Sequence, residues 1–172
     1  MEALKIQAKP APDYEVIITR LLDAPRRMVF EAFSEPKRLA RWWGPRGFTN
    51  PVCTLDARPG GAYRIVTRSP TGAEYPIKGV YLEVVALERV ACTQNLDEHP
   101  TAWHEELCLR GADMPIGETL LTATFEEQEG RTKLTLRNGF ESAATRDAFK
   151  DTGLVAGWTQ SLDRLEHYLT GR

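Results

Sequence analysis

The apolar residues of this chain change their period partway along it. From about residue 49 they fall into short runs rich in β-branched residues and punctuated by turn signals, and near the C-terminus they return to a spacing of three or four. Period two sends successive side chains to opposite faces of a strand, whereas three-to-four spacing gives a helix one apolar face. The runs are 49–56, 62–68, 75–86, 88–96, 118–127 and 131–140. They are parted by Pro59-Gly60-Gly61, by Ser69-Pro70-Thr71-Gly72 and, before the last run, by Glu129-Gly130, which predicts a hairpin tip. Consecutive short strands with tight turns make an antiparallel sheet. The later stripe, Leu154, Trp158, Leu162, Leu165 and Leu169, predicts a helix from about 144 with a kink at Thr152-Gly153, and the stripe demands burial.

Upstream of the sheet, Tyr14 to Asp23 reads as a first strand, which Pro25 stops. Val29, Phe30 and Phe33 then recur at helical spacing, predicting a short helix over 25–33. Ser34 stands as the N-cap of a second short helix ending near Trp43, where Gly44-Pro45 breaks it. The polar stretch 97–117, interrupted by Pro100, Gly111 and Pro115, predicts a loop across one end of the sheet. Residues 1–13 are expected to form a flexible leader and 14–172 a single domain. The order of elements gives an α+β fold: a curved antiparallel sheet of six or seven strands wrapped on a long C-terminal helix, with two short helices after the first strand.

At 172 residues, one core suffices; a globule of this size buries roughly two-thirds of its unfolded surface. Twenty-two Lys and Arg against twenty-four Asp and Glu leave a formal charge of −2, so no global positive field exists to hold nucleic acid by counterion release. The N-terminal residues lack a signal-peptide apolar core, and no apolar run approaches the ~20 residues that span a bilayer. The expectation is a cytoplasmic protein with no membrane insertion. Cys53, Cys92 and Cys108 are odd in number and widely spaced without a Cys-x-x-Cys, which speaks against a disulfide framework and a zinc knuckle.

Ala24-Pro25 with Val29-Phe30-Glu31-Ala32-Phe33, then Leu39-Ala40-Arg41-Trp42-Trp43-Gly44-Pro45 followed by Gly47-Phe48-Thr49, carry a resemblance. It continues through Arg58-Pro59-Gly60-Gly61, Gly79-Val80-Tyr81, Glu88-Arg89-Val90, and Gly157-Trp158 with Leu162, Asp163 and Leu165. Over about Tyr14 to Leu169 the chain resembles the START-like or SRPBCC superfamily. Within it, the likeness is to small bacterial proteins similar to the C-terminal domain of the Hsp90 ATPase activator. The resemblance implies a helix-grip fold with an interior cavity for lipids, polyketides or other apolar small molecules, and it implies no shared catalytic constellation. The chaperone-activating role belongs to a longer eukaryotic protein with a further N-terminal domain.

Strand alternation places Tyr63 and Ile65 on one face, with Ile77, Gly79 and Tyr81, and then Cys92, Gln94, Leu121, Ala123, Leu134 and Leu136. If that face is concave, these residues line a pocket together with Trp158, and Tyr63, Tyr81 and Gln94 orient a ligand; the competing view is a solid core. Trp42-Trp43 reads either as a gate to the cavity or as a core anchor beside a cover for the Pro45 and Phe48 loop. Access is expected near Trp43, Phe48 and the 97–117 stretch. Asp97, Glu98, His99, His104, Glu105, Glu106 and Cys108 are metal-ligand types, but His99 and His104 are five apart with no second pair, which reads as a solvated acidic loop and no metal site. No Gly-x-Ser-x-Gly elbow, P-loop or dinucleotide fingerprint occurs, so no cofactor and no catalytic residues are assigned. Arg64, Glu83 or Asp56 would have to turn inward for acid–base work. The leading expectation is binding of an apolar or aromatic small molecule. The rivals are a polyketide cyclase or aromatase and a protein-interaction module, and a homodimer is compatible with all three.

Overall fold

The structure is a computed structural model that describes residues 14–171. The leader expected over 1–13 lies outside the described residues. Strand β1 spans Glu15–Leu22, followed by helices α1 (Arg26–Ser34) and α2 (Pro36–Leu39). Strands β2 (Thr49–Leu55), β3 (Ala62–Arg68), β4 (Glu74–Val85) and β5 (Arg89–Gln94) follow. Helix α3 (Thr101–Leu109) precedes β6 (Thr119–Gln128) and β7 (Arg131–Gly139), and α4 (Ala143–Asp151) and α5 (Leu154–Thr170) close the chain.

Seven strands form one antiparallel sheet in the order β1-β7-β6-β5-β4-β3-β2. Strands β2 to β7 meander, each pairing with its sequence neighbour, and β1 returns to pair with β7, Ile18 opposite Leu136. Glu129 and Gly130 both take positive φ, at 53° and 83°, the geometry of a two-residue hairpin turn that follows the right-handed twist of its strands. Pro51 sits in β2, at the sheet edge, where the register with β3 shifts between Thr49 and Val52. A proline has no N–H to give the ladder and is tolerated there. Gly79 of β4 is needed for close approach: a Cβ would overlap the Thr93 carbonyl oxygen. The cross-strand partner of Gly79 is Tyr63, whose hydroxyl donates to that same carbonyl.

Three elements differ from the sequence expectation. The stretch 97–117 contains α3, with Pro100 as its N-cap residue; proline suits a helix start, and here it begins an element. Ser34 ends α1 and caps nothing; Glu35 is the N-cap of α2, Pro36 occupies its first turn, and the chain continues through turns to Trp43. The expected kink at Thr152-Gly153 is a full break, with Gly153 in the left-handed region at φ 95°. Helix α4 starts at Ser142, whose Oγ accepts from the Thr145 N–H at 3.1 Å.

Helix α5 lies on the inner face of the sheet. Trp158, Leu162 and Leu165 share one buried cluster with Leu134 and Leu136 of β7, Phe125 of β6, and Val29, Phe33 and Trp42 from the first helices. Trp42 is fully buried; its Nε1 donates to the Ala32 carbonyl at 3.0 Å, and its ring lies 4.8 Å from Phe33 and 5.7 Å from Trp43. A second cluster, Val16, Leu96, Leu107, Ala112, Ile116, Phe140, Ala148 and Phe149, sits beneath α3 and α4.

Arg164 of α5 fastens the turn after α2. Its Nη1 donates to the carbonyls of Trp43, Gly44 and Pro45 at 3.1, 2.8 and 3.0 Å. Burial disfavours the charge and lowers the guanidinium pKa, so the carbonyl dipoles carry the compensation. Arg164→Met keeps the stem but removes that donor; the Trp43 carbonyl retains Asn50 Nδ2 and the Pro45 carbonyl the Phe48 N–H, so the Gly44 carbonyl is the one left unpaired, and unfolding free energy is expected to fall by about 2 kcal/mol in urea titrations.

Candidate functional site

The space over the inner face of the sheet is divided. Beneath Phe33, Leu39 and Trp43, the sheet residues Tyr63, Ile65, Tyr81, Cys92, Leu121 and Ala123 surround a void of about 30 Å³ together with Gln94, room for a water molecule or two. Towards α3 and α4 a larger cleft opens, about 270 Å³ in volume. Trp43 and Trp158 form one wall, Trp103 and Phe149 another, and Gln94, Thr119 and Asn138 are polar groups of the lining.

Of the sequence-predicted residues, Trp43, Ile77, Gln94 and Trp158 line the large cleft. The strand registers place Tyr63, Ile65, Ile77, Tyr81, Cys92, Gln94, Leu121, Ala123, Leu134 and Leu136 on one face of the sheet. Leu134 and Leu136 are fully buried and border neither space. Phe48 is also absent from both linings; its ring faces Tyr75 at 6.1 Å. The tryptophan pair divides its roles: Trp42 is core, and Trp43 stands edge-on to Trp158 at 5.4 Å on the cleft wall.

The cleft exists because two cores meet there without merging. Trp43 and Trp158 belong to the cluster under α5, whereas Leu96, Phe140 and Phe149 belong to the one under α4. Between them the chain places Gly153 and Gly157, and a Cβ at Gly157 would meet no atom within 4 Å. Trp103 falls in the 97–117 stretch expected as a loop, although Trp103 and Leu107, four apart after Pro100, are a helical signal within it; Phe149 falls in the helix expected from about 144, ahead of the apolar stripe that begins at Leu154. Asn138 was also missed, although it is the next residue of the Leu134, Leu136 parity and thus a polar side chain on an apolar face.

Electrostatically the cleft is nearly neutral. His99 is the one titratable ring or acid among the described residues that line it. Its Nδ1 lies 3.0 Å from the Pro76 carbonyl; a carbonyl only accepts, so Nδ1 carries the proton and Nε2 is the acceptor. Burial lowers its pKa to about 4, with the neighbouring His104 adding to the effect. The ring packs against Trp103 at 4.4 Å and Tyr75 at 5.3 Å. Arg64, Glu83 and Asp56 do not turn inward; they form ion pairs with Glu98, Arg89 and Arg58 at the surface. The Tyr63 hydroxyl is occupied by the Thr93 carbonyl. Burial raises the Tyr63 and Tyr81 hydroxyls and pushes Cys92 up to about 12, so none of them ionises near neutrality. Among the described residues no three His, Cys, Asp or Glu side chains gather as a metal set, and no helix is long and apolar enough to cross a membrane.

The neutral His99 sets a pH dependence. Unfolded, the ring titrates near 6.5; folded, near 4. The unfolded chain therefore binds the extra proton between these values, and stability is full above about pH 6.5 and lost towards pH 4. Urea titrations at pH 7 and 5 should show wild type losing about 1–2 kcal/mol more than His99→Gln; parallel losses would remove His99 as the cause.

The sequence profile described as activator of Hsp90 ATPase homolog 1-like protein matches residues 23–170. Among solved structures, a protein from Chromobacterium violaceum is 28% identical, with TM-score 0.70, covering 90% of this chain and 96% of that one. A Mycobacterium smegmatis protein reaches TM-score 0.77 at 21% identity, covering 95% and 96%. The AHSA1 protein of Silicibacter pomeroyi aligns with TM-score 0.68 at 21% identity, over 90% and 96%. No curated protein matches. The sheet, the terminal helix and the short helices after β1 are those of the helix-grip fold, and with the profile spanning nearly all of that body, the chain belongs to the activator of Hsp90 ATPase homolog 1-like family.

Proposed function

We propose that this protein binds an apolar or aromatic small molecule in the cleft between α5, α3 and the inner face of the sheet. The observation that carries the reading is the cleft itself: about 270 Å³, walled by Trp43, Trp103, Phe149 and Trp158 and furnished with few polar groups. Ligand sites are of this kind, concave and mostly apolar with a small number of placed polar anchors. A dry cavity of roughly 150 Å³ accommodates benzene, so this volume suits a skeleton of one or two rings better than a four-ring sterol. Family membership supports the same reading at the level of a ligand-binding or activator-like fold.

The rival readings fit less well. A cyclase or aromatase needs a pair of acid–base groups in its cavity, and here His99 stands without a titratable companion in the lining. An interaction module needs a contiguous exposed apolar patch. Of the large exposed apolar residues among the described residues, Ile17 and Leu21 share β1, and Met28, Val52, Val80, Leu109, Met114 and Val155 are spread singly over α1, β2, β4, α3, the segment after α3 and α5.

Gly157 provides the test. Leucine there fills the cleft, and replacing a mid-helix glycine also favours the folded state by about 0.5–1 kcal/mol. Native mass spectrometry for retained ligand and a thermal-shift screen with fatty acids, flavonoids and two-ring aromatics would find a binder, since a ligand of the folded state raises its melting temperature. Gly157→Leu is expected to melt at or above wild type and to lose that binder's affinity at least about tenfold. Unchanged affinity in the variant would exclude the cleft, and no binder across the panel would leave the interaction module.

A further inference from the structure

Among the described residues that line the cleft, Asn138 is the one side chain whose hydrogen bonding is both fixed in direction and incomplete. It is 4% exposed, and its Oδ1 accepts from Trp158 Nε1 at 3.2 Å. An indole N–H only donates, so the amide oxygen must face it and the orientation of the amide is settled by chemistry. The Nδ2 group then has no protein acceptor within reach. The strand register explains why: Asn138 lies between Val16 of β1 and Leu121 of β6, both apolar, so neither cross-strand neighbour supplies an oxygen. The polar pair Thr119 and Gln94 differs: Thr119 Oγ1 donates to Gln94 Oε1 at 3.1 Å, and a hydroxyl that can donate or accept does not fix which way that amide faces. A buried amide without its acceptor is costly, and Asn138 borders the open cleft.

We infer that the Asn138 amide N–H receives a carbonyl or hydroxyl oxygen of the bound molecule, which narrows the ligand class from apolar compounds in general to compact oxygenated aromatics. This rests on the proposed binding in the cleft. An acceptor oxygen placed there completes a chain from Trp158 through the Asn138 amide to the ligand, while the rings fill the space between Trp43, Trp103 and Phe149. A hydrocarbon of the same shape leaves the amide unpaired, and a site built around a buried donor rejects such an analogue.

The matched probes are 1-tetralone and tetralin, the same bicyclic skeleton with and without a carbonyl oxygen, titrated into the full chain by ligand-detected NMR. Wild type is expected to bind 1-tetralone at least about tenfold more tightly than tetralin. In Asn138→Leu, checked for folding by circular dichroism, the ratio should fall to near one. A second readout does not depend on the variant: in ¹⁵N-labelled wild type the Asn138 side-chain NH₂ resonances should shift with 1-tetralone and stay in place with tetralin. Equal affinities in wild type, or a still NH₂ signal on binding of the ketone, overturn this inference and leave the cleft as a site for hydrocarbons. Binding of neither probe overturns the inference together with the reading beneath it.

Discussion

One cation ties the site wall to α5. Arg164 reaches from α5 to three successive carbonyls, those of Trp43, Gly44 and Pro45, and so fixes the turn that points one tryptophan into the core and the next at the cleft. Gly44 permits the turn with φ at 97°, a conformation that side chains beyond glycine resist. From that anchored turn an aromatic series, tilted at Phe33–Trp42 and edge-on at its other contacts, runs Phe125, Phe33, Trp42, Trp43, Trp158, linking the sheet, the first helices and α5. Such contacts fix ring orientation as well as bury area. The helix grips the sheet partly through this series, and the cleft inherits its rigid wall from it.

The inner face of the sheet does two jobs along its length. Beneath Phe33, Leu39 and Trp43 it is packed: tyrosines, Cys92 and apolar side chains close on one another around a void of about 30 Å³. Toward the end where β5, β6 and β7 meet α3 and α4, the packing opens, because two glycines on the helix side remove the groups that would fill it. A curved sheet gripping a helix does not by itself yield a large interior cavity. The location of open space depends on where bulky residues stop, and that is set residue by residue.

Much of this was legible beforehand. The period switch and the Gly and Pro punctuation located the strands to within a residue or two at most boundaries, because strand alternation and turn chemistry are local. The inward parity of Tyr63, Ile65, Ile77, Tyr81, Cys92 and Gln94 followed from alternation alone. What escaped was non-local. Pro100 can stop one element or start another, and the single pair Trp103 and Leu107 becomes decisive for a helix through the burial of Leu107 against the far core. Whether an inward residue lines space or packs against a neighbour depends on the opposing element, so Leu134 and Leu136 could not be told from Gln94 by pattern. Asn138 carried a signal, a polar residue on the apolar parity, that a closer reading of β7 would have found.

The existence of two cores bears on time as well as on space. Elements with their own small cluster can open without the rest of the protein following. Helices α3 and α4 pack on the second cluster and form one wall of the cleft, while the wall of Trp43 and Trp158 belongs to the first. A molecule held in the cleft would therefore have its grip strength set mainly by the rigid wall and its rates of arrival and departure set by how often the α3 and α4 flap breathes. Residence time and affinity would then be adjustable by substitutions in different parts of the chain.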